Sequence, residues 1–303
     1  MRLSRTLALG ASTLVLLSAC STGGGSIKPT IKIGSVGFDE ARVVAEIYAQ
    51  ALEADGYTVD RAGIGLGSRK VLLPALESAQ IDLQPEYIGS GLASGYGGTS
   101  TSDPAANRAA LQKILDGKGG GITVLDYTPA VDTNALVVRK DTAEKYSLKT
   151  WGDLAAVQDD LKWGLATDCP TNPVCAKALK DSYGIDPKDV TLLDACSTPM
   201  ADALLAGTID VAELCSTGPE IIVNGWVRLE DDKGTQPADN IAPLVRNDFL
   251  AKTDKAAFSK ILNDISAKID TATLAQLYYD VSVGLKDTKD VASAWLKANG
   301  FVK

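Results

Sequence analysis

IKIGSVGFDEARVVAEIYAQALEADG, residues 31–56, decides the architecture. Ile31 to Ser35 is a short apolar run read as a first strand. Asp39 is placed to cap a helix in which Val44, Ile47, Tyr48, Ala51 and Leu52 share one face, and Gly56 ends it. A strand passing through a short turn into an amphipathic helix is the repeating unit of α/β proteins.

The same alternation continues outward. Tyr57 to Ile64 predicts a second strand, followed by a helix from Ser68 that Pro74 bends. Ile81-Asp82-Leu83 predicts a third strand. Asp103-Pro104 opens a helix with its cap and first-turn proline in their preferred places, and Gly117 stops it. Val124 to Tyr127 returns to strand. Asn134 to Arg139 reads as a crossing into a second lobe, with strands at 163–167, 190–195 and 211–215 and helices near 174–183 and 199–206. A return crossing is expected at 221–230. The tail is helical, with Phe258, Ile261, Leu262, Ile265 and Ile269 on one face and further helices ending at Gly284 and Gly300. The expectation is therefore an α/β clamshell of two lobes and two hinge crossings, with lobe 1 at 30–132 plus 225–303 and lobe 2 at 133–224. Ligands of such architectures sit beyond the carboxyl ends of the strands.

The amino terminus has a separate logic. Arg2 and Arg5 precede the apolar run Leu7–Leu17, and Leu17-Ser18-Ala19-Cys20 closes it with small residues, the pattern of an export signal over residues 1–20. The run is too short to span a bilayer. Cys20 follows a site resembling a bacterial lipobox, which implies a lipid anchor on the extracytoplasmic side of the cell membrane. Residues 21–29, rich in Gly and Ser, read as a flexible tether.

Of the 303 residues, 30 are Lys or Arg, 38 are Asp or Glu and none is His. Without Arg2 and Arg5 the balance is 28 against 38, a net charge of −10. No basic cluster exists to hold a phosphodiester backbone, so nucleic acid is not an expected partner. The absence of His removes Ser-His-Asp and Cys-His catalysis and nearly all catalytic zinc sites. No metal or cofactor is expected. Gly63-Ile64-Gly65-Leu66-Gly67 lacks the third glycine of a dinucleotide loop, where Ser68 stands, and reads as a strand-to-helix turn. Glu86, Asp126, Asp132 and Glu213 fall near strand ends. A pair of them could cleave a glycosidic bond only at a fixed separation, and acids in such loops are more often solvated or capping, so no enzymatic activity is assigned.

Cys169, Cys175, Cys196 and Cys215 remain beyond Cys20, and an even count in an exported chain favours disulfides, with three connectivities open. The compact, turn-rich loop from Cys169 to Cys175 favours that pair, leaving Cys196 with Cys215. Chain-entropy arguments give about 2 kcal/mol for the short loop and about 3 kcal/mol for the long one. The aromatic residues Phe38, Tyr87 and Tyr127 each follow a predicted strand, and Asp126 adjoins the last of them. Converging ring faces hold a quaternary ammonium or a flat ring.

At these residues the chain resembles the osmoprotectant-binding family, the receptors for glycine betaine, choline and carnitine of ABC importers. The likeness lies in Gly37-Phe38-Asp39-Glu40, in Leu73-Pro74-Ala75-Leu76-Glu77-Ser78, in Gln80 through Tyr87, in Leu125-Asp126-Tyr127-Thr128-Pro129-Ala130, and in Leu229 through Asp232 with Asn240 through Arg246. The Cys169–Cys175 loop resembles a disulfide-bearing actinobacterial subset. The resemblance implies a type II periplasmic-binding fold, a monomer that delivers its ligand to permease and ATPase subunits, tyrosines at 87 and 127 in a ligand cage, and a hydroxyl at Ser90 meeting a carboxylate. Ser216 and Thr217 are the expected contacts from lobe 2. Two departures stand out. Leu214-Cys215-Ser216-Thr217-Gly218-Pro219 replaces a segment that brings a further aromatic, and Ala41 stands where the family often has Gln. A reduced cage points to weaker betaine binding and admits a polyol, another zwitterion or an aromatic compound; a sensor module is the alternative use of the same fold.

Overall fold

The computed structural model describes residues 28–303; the expected signal segment, Cys20 and most of the tether lie outside them. Among the described residues, ten strands form two five-stranded sheets. They are β1 (Thr30–Val36), β2 (Thr58–Gly67), β3 (Leu83–Tyr87), β4 (Ile122–Val124), β5 (Asn134–Val138), β6 (Trp163–Ala166), β7 (Val190–Leu193), β8 (Val211–Cys215), β9 (Val227–Arg228) and β10 (Ile241–Arg246). The first sheet runs β2-β1-β3-β10-β4 and the second β7-β6-β8-β5-β9.

Each sheet has a parallel core and one strand supplied by a crossing. β5 leaves lobe 1 and pairs antiparallel with β8 and β9. β10 returns from lobe 2 and pairs antiparallel with β3 and β4. The crossings touch where Val131 bridges Asn240 and the Asp132 amide donates to the Asp239 carbonyl at 3.2 Å. The two-lobe clamshell expected from the alternation is therefore the architecture found.

Packing follows the sequence pattern. The helix Asp39–Ala54 buries Val43, Val44, Ile47, Tyr48 and Leu52 on the first sheet, where they join Ile31, Ile33, Leu83 and Leu244 in one continuous core. Lobe 2 packs both faces of its sheet separately. Side chains alternate along a strand, so Leu136 and Val138 of β5 enter one cluster with Trp163 and Trp151, while Ala135 and Val137 enter another with Met200 and Leu204. Both predicted disulfides are present, Cys169–Cys175 and Cys196–Cys215.

Several boundaries differ from expectation. The first helix is capped by Phe38 without a side-chain bond, and Asp39 is its first residue, paired instead with Arg42 at 3.2 Å. The third strand lies later than 81–83, because Ile81 and Asp82 still belong to the turn that returns to the Ala75 and Lys32 carbonyls. Residues 63–67 lie within β2. The return crossing also comes later than residue 225. Gly225, in the left-handed region at φ +61°, ends the helix Pro219–Asn224 and turns the chain into β9, which pairs with β5. Glu230 then bonds with Lys149 and Trp151, and lobe 1 is reached only near Ala238, whose amide donates to Thr101.

Candidate functional site

Between the lobes, beside the two crossings, lies a cavity of about 480 Å³. Lobe 1 contributes Gly89, Ser90 and Ser94, the crossings contribute Asp132, Gln236 and Asp239, and lobe 2 contributes Asn134, Asn172, Val174 and Cys215. Two larger grooves, of about 840 and 630 Å³, are lined by lobe 1 alone. The interlobe cavity is the one that lobe closure would change, so it is taken as the site.

Asp132 and Asp239 are the acids of the lining, and further buried acids that do not line it stand near them, held by strand β3 and the first helix. Glu86 is buried and accepts from the Arg69 guanidinium at 2.8 and 3.0 Å, from the Tyr87 amide at 2.8 Å and from Gln84 at 3.2 Å. Burial raises its carboxyl while the Arg69 charge opposes that shift. Tyr87, at the end of the strand, turns its hydroxyl onto Glu40 Oε1. Glu40 is 1 % exposed and its other oxygen, Oε2, has no hydrogen-bond partner among the described residues. Burial first, then the neighbouring Asp132 and Asp239 charges, push its carboxyl up to about 8 against the Tyr87 hydrogen bond. Asp132 is pushed up to about 6, mainly by burial and then by Asp239, although it accepts from Thr217 Oγ1 at 2.8 Å. Asp239 is raised by burial and accepts from the Ser90 amide at 2.8 Å and from the Ser90 hydroxyl. That approach needs Gly89, because a Cβ there would stand 2.6 Å from the Ala238 carbonyl oxygen.

The facing wall is built from amides held by lobe 2. Asn134 Nδ2 donates to buried Glu213 at 2.9 Å, and the other oxygen of Glu213 accepts from the Ala166 amide at 2.8 Å and lies 3.5 Å from Cys175 Sγ. Asn172 and Val174 belong to the loop that the Cys169–Cys175 bond closes. The Val174 carbonyl accepts from Gln236 of the return crossing at 2.7 Å. Cys215 brings the second disulfide to the same wall.

The residues singled out from sequence fall into three groups. Ser90 lines the cavity and Thr217 reaches it through Asp132, while Tyr87 bonds Glu40 behind the lining. Ser216 works in the hinge: its hydroxyl donates to the Val131 carbonyl at 2.8 Å and accepts from the Thr133 amide at 3.0 Å. Phe38 is 45 % exposed, with its ring centroid 5.7 Å from that of Tyr87. Asp126 and Tyr127 are outside the cavity. β4 ends at Val124, so the chain has already turned when it reaches them; Asp126 is exposed and pairs with Arg108 at 3.0 Å, and Tyr127 packs half-buried against the lobe 1 core. Asn134, Asn172, Gln236 and Asp239 were not singled out. Their one available signal was position, at the crossings and the closed loop. The acids weighed as a hydrolytic pair are dispersed among separate partners: Arg69 for Glu86, Arg108 for Asp126, Thr217 for Asp132 and Asn134 for Glu213.

Comparison with known proteins agrees with this frame. A model of the substrate-binding domain of ABC-type glycine betaine transport systems matches residues 29–298. The glycine betaine-binding protein YehZ of Escherichia coli K12 is 29 % identical over 310 residues, covering 98 % of this chain and 99 % of that one. The carnitine transport binding protein OpuCC of Listeria monocytogenes is 29 % identical over 243 residues, 78 % of each chain. A crystal structure of a glycine betaine/carnitine/choline ABC transporter protein superposes with a TM-score of 0.79 at 25 % identity, over 89 % of this chain and 99 % of its own.

Proposed function

The chain belongs to the family of substrate-binding domains of ABC-type glycine betaine transport systems, and on that premise we propose that it captures a small polar solute between its lobes and presents the closed form to a membrane permease driven by an ATPase. The observation that carries this reading is the cavity at the crossings, with polar side chains converging from both lobes. A solute that touches Ser90 and Asp239 on one side and Asn134 and Asn172 on the other favours the closed arrangement by the contacts it makes only there.

Residues 1–29 add a location. Acylation of Cys20 would tie the protein to the outer face of the cell membrane, with the Gly- and Ser-rich segment as a leash. No described helix is long and apolar enough to cross a membrane. Incorporation of labelled palmitate into the wild-type chain, and its loss in Cys20→Ala, would support the anchor.

Calorimetry with glycine betaine, choline, carnitine and a set of amines and polyols, combined with small-angle scattering, tests the capture reading. The bound ligand is expected to reduce the radius of gyration, and Asn134→Ala, lower-melting for want of the Glu213 bond but checked as folded by circular dichroism, is expected to weaken binding about tenfold or more. Binding without compaction, unaffected by Asn134→Ala, would locate the site elsewhere.

A further inference from the structure

The chemistry of the cavity narrows its ligand. Among the described residues that line it, none is Lys, Arg or aromatic, whereas Asp132 and Asp239 both open onto it. Glu40 feels the charges of both and, among the described residues, keeps one oxygen buried and unpartnered. The other polar groups of the lining are hydroxyls and amides, among them Ser90, Ser94, Asn134, Asn172 and Gln236, beside the apolar Ala93, Val174 and Pro237.

A trimethylammonium group has no N–H to offer these oxygens, and its usual compensation is a set of ring faces. Here Tyr87 is 3 % exposed and commits its hydroxyl to Glu40. Phe38, the nearby exposed ring, is not part of the cavity lining. A carboxylate on the ligand would meet two acids with no cation in the lining to receive it. The neighbouring Arg69 already donates through Nε and Nη2 to Glu86 Oε1.

We propose that the preferred ligand is a small cation whose charged group carries N–H donors, an ammonium or a guanidinium, and which bears no carboxylate. This inference rests on the capture reading above and specifies the solute class for the same cavity. The donors would satisfy Asp132 and Asp239 directly, and the positive charge would stabilise the ionised form of the Glu40–Asp132 pair.

That second effect gives the inference its own signature. The groups facing Glu40 are Asp132 and Asp239 from the crossings, Tyr87 from β3 and Thr217 from lobe 2, and Tyr278 of the helix Thr271–Ser282 also senses its charge. With no cation among them, the pair retains a proton near neutral pH. An arriving cation lowers both carboxyls and expels that proton. A neutral polyol does not.

The test is an N-methylation ladder measured by calorimetry at pH 7 on residues 21–303: ethanolamine, N-methylethanolamine, N,N-dimethylethanolamine and choline, each with its carboxylate counterpart from glycine to glycine betaine. Affinity should fall about tenfold or more from ethanolamine to choline, the scale of one charge-assisted hydrogen bond. Every carboxylate partner should bind more weakly than its alcohol. Repeating the ethanolamine titration in buffers of different ionisation enthalpy should show proton release, with affinity rising from pH 6 to pH 8. Asp239→Asn, checked by its melting curve, should flatten the ladder. Tightest binding by choline or glycine betaine, or by sorbitol without proton exchange, overturns this inference and leaves solute capture standing. Failure of every compound to compact the protein overturns both.

Discussion

Lobe 1 and lobe 2 reach similar sheets by different means. Lobe 1 buries one continuous apolar cluster that runs from Ile31 to Leu296, and sets its acids into the edge of that core. Lobe 2 is shorter, divides its apolar residues between two clusters on opposite sides of its sheet, and adds two disulfides next to the cavity. Small cores supply less burial per residue, and cross-links compensate by restricting the unfolded chain. The interlobe cavity is thus held by disulfides on one side and by packing on the other.

The sharpest way to break this contrast is to remove the cross-links. Cys196→Ser with Cys215→Ser should cost lobe 2 about 3 kcal/mol, and Cys169→Ser with Cys175→Ser about 2 kcal/mol. Trp151, Trp163 and Trp226 all lie in the lobe 2 clusters, whereas Trp295 packs on lobe 1. Tryptophan fluorescence should therefore report an early lobe 2 transition while the helical signal of lobe 1 persists. The short-loop variant should also lose affinity, since Asn172 and Val174 are freed. A single transition at the wild-type temperature would mean that the two apolar clusters of lobe 2 suffice.

The acids of lobe 1 give the next effect. Glu40 has a folded carboxyl raised to about 8 from 4.5. Between those values the native state holds more protons than the unfolded state, so stability is greatest at the acid end of that window and declines as pH rises through it. Glu40→Gln should remove this slope and raise the melting temperature at pH 8 by on the order of 3 °C, measured on the ligand-free protein. An unchanged slope would assign the pH dependence to other groups.

The smallest effect is expected at the surface of lobe 1. Asp126→Asn breaks an exposed pair with Arg108 and should shift stability by less than about 0.5 kcal/mol, with no change in ligand affinity. A loss of binding would bring Asp126 into the cavity after all.

Much of the frame was legible because period and punctuation agree. The first strand and helix, the helix opened by Asp103-Pro104 and the strand ending at Cys215 follow from local pattern alone. β10 was not legible as a strand, because Pro243 sits at its centre. The sheet accommodates it opposite Pro85 of β3, while its carbonyl still accepts from Leu125. Missing β10 also hid the true return crossing, and with it Asp239 and Gln236. Tyr87 was expected as a cage ring; in the structure it ends a buried strand and places its hydroxyl on Glu40. Asp126 and Tyr127 were misplaced because strand β4 is only three residues long, so counting along the sequence overshot the cavity.

The Val131–Asn240 bridge is flanked by Asp132 and Asp239, so under the proposed capture reading the residues that meet the ligand would also form the pivot on which the halves turn. Selectivity and resting aperture would then be mechanically inseparable. Any redesign of the pivot acids for a new analyte would recalibrate the gape at the same time, and a fluorescent reporter built on this scaffold would need its baseline reset with each change of target.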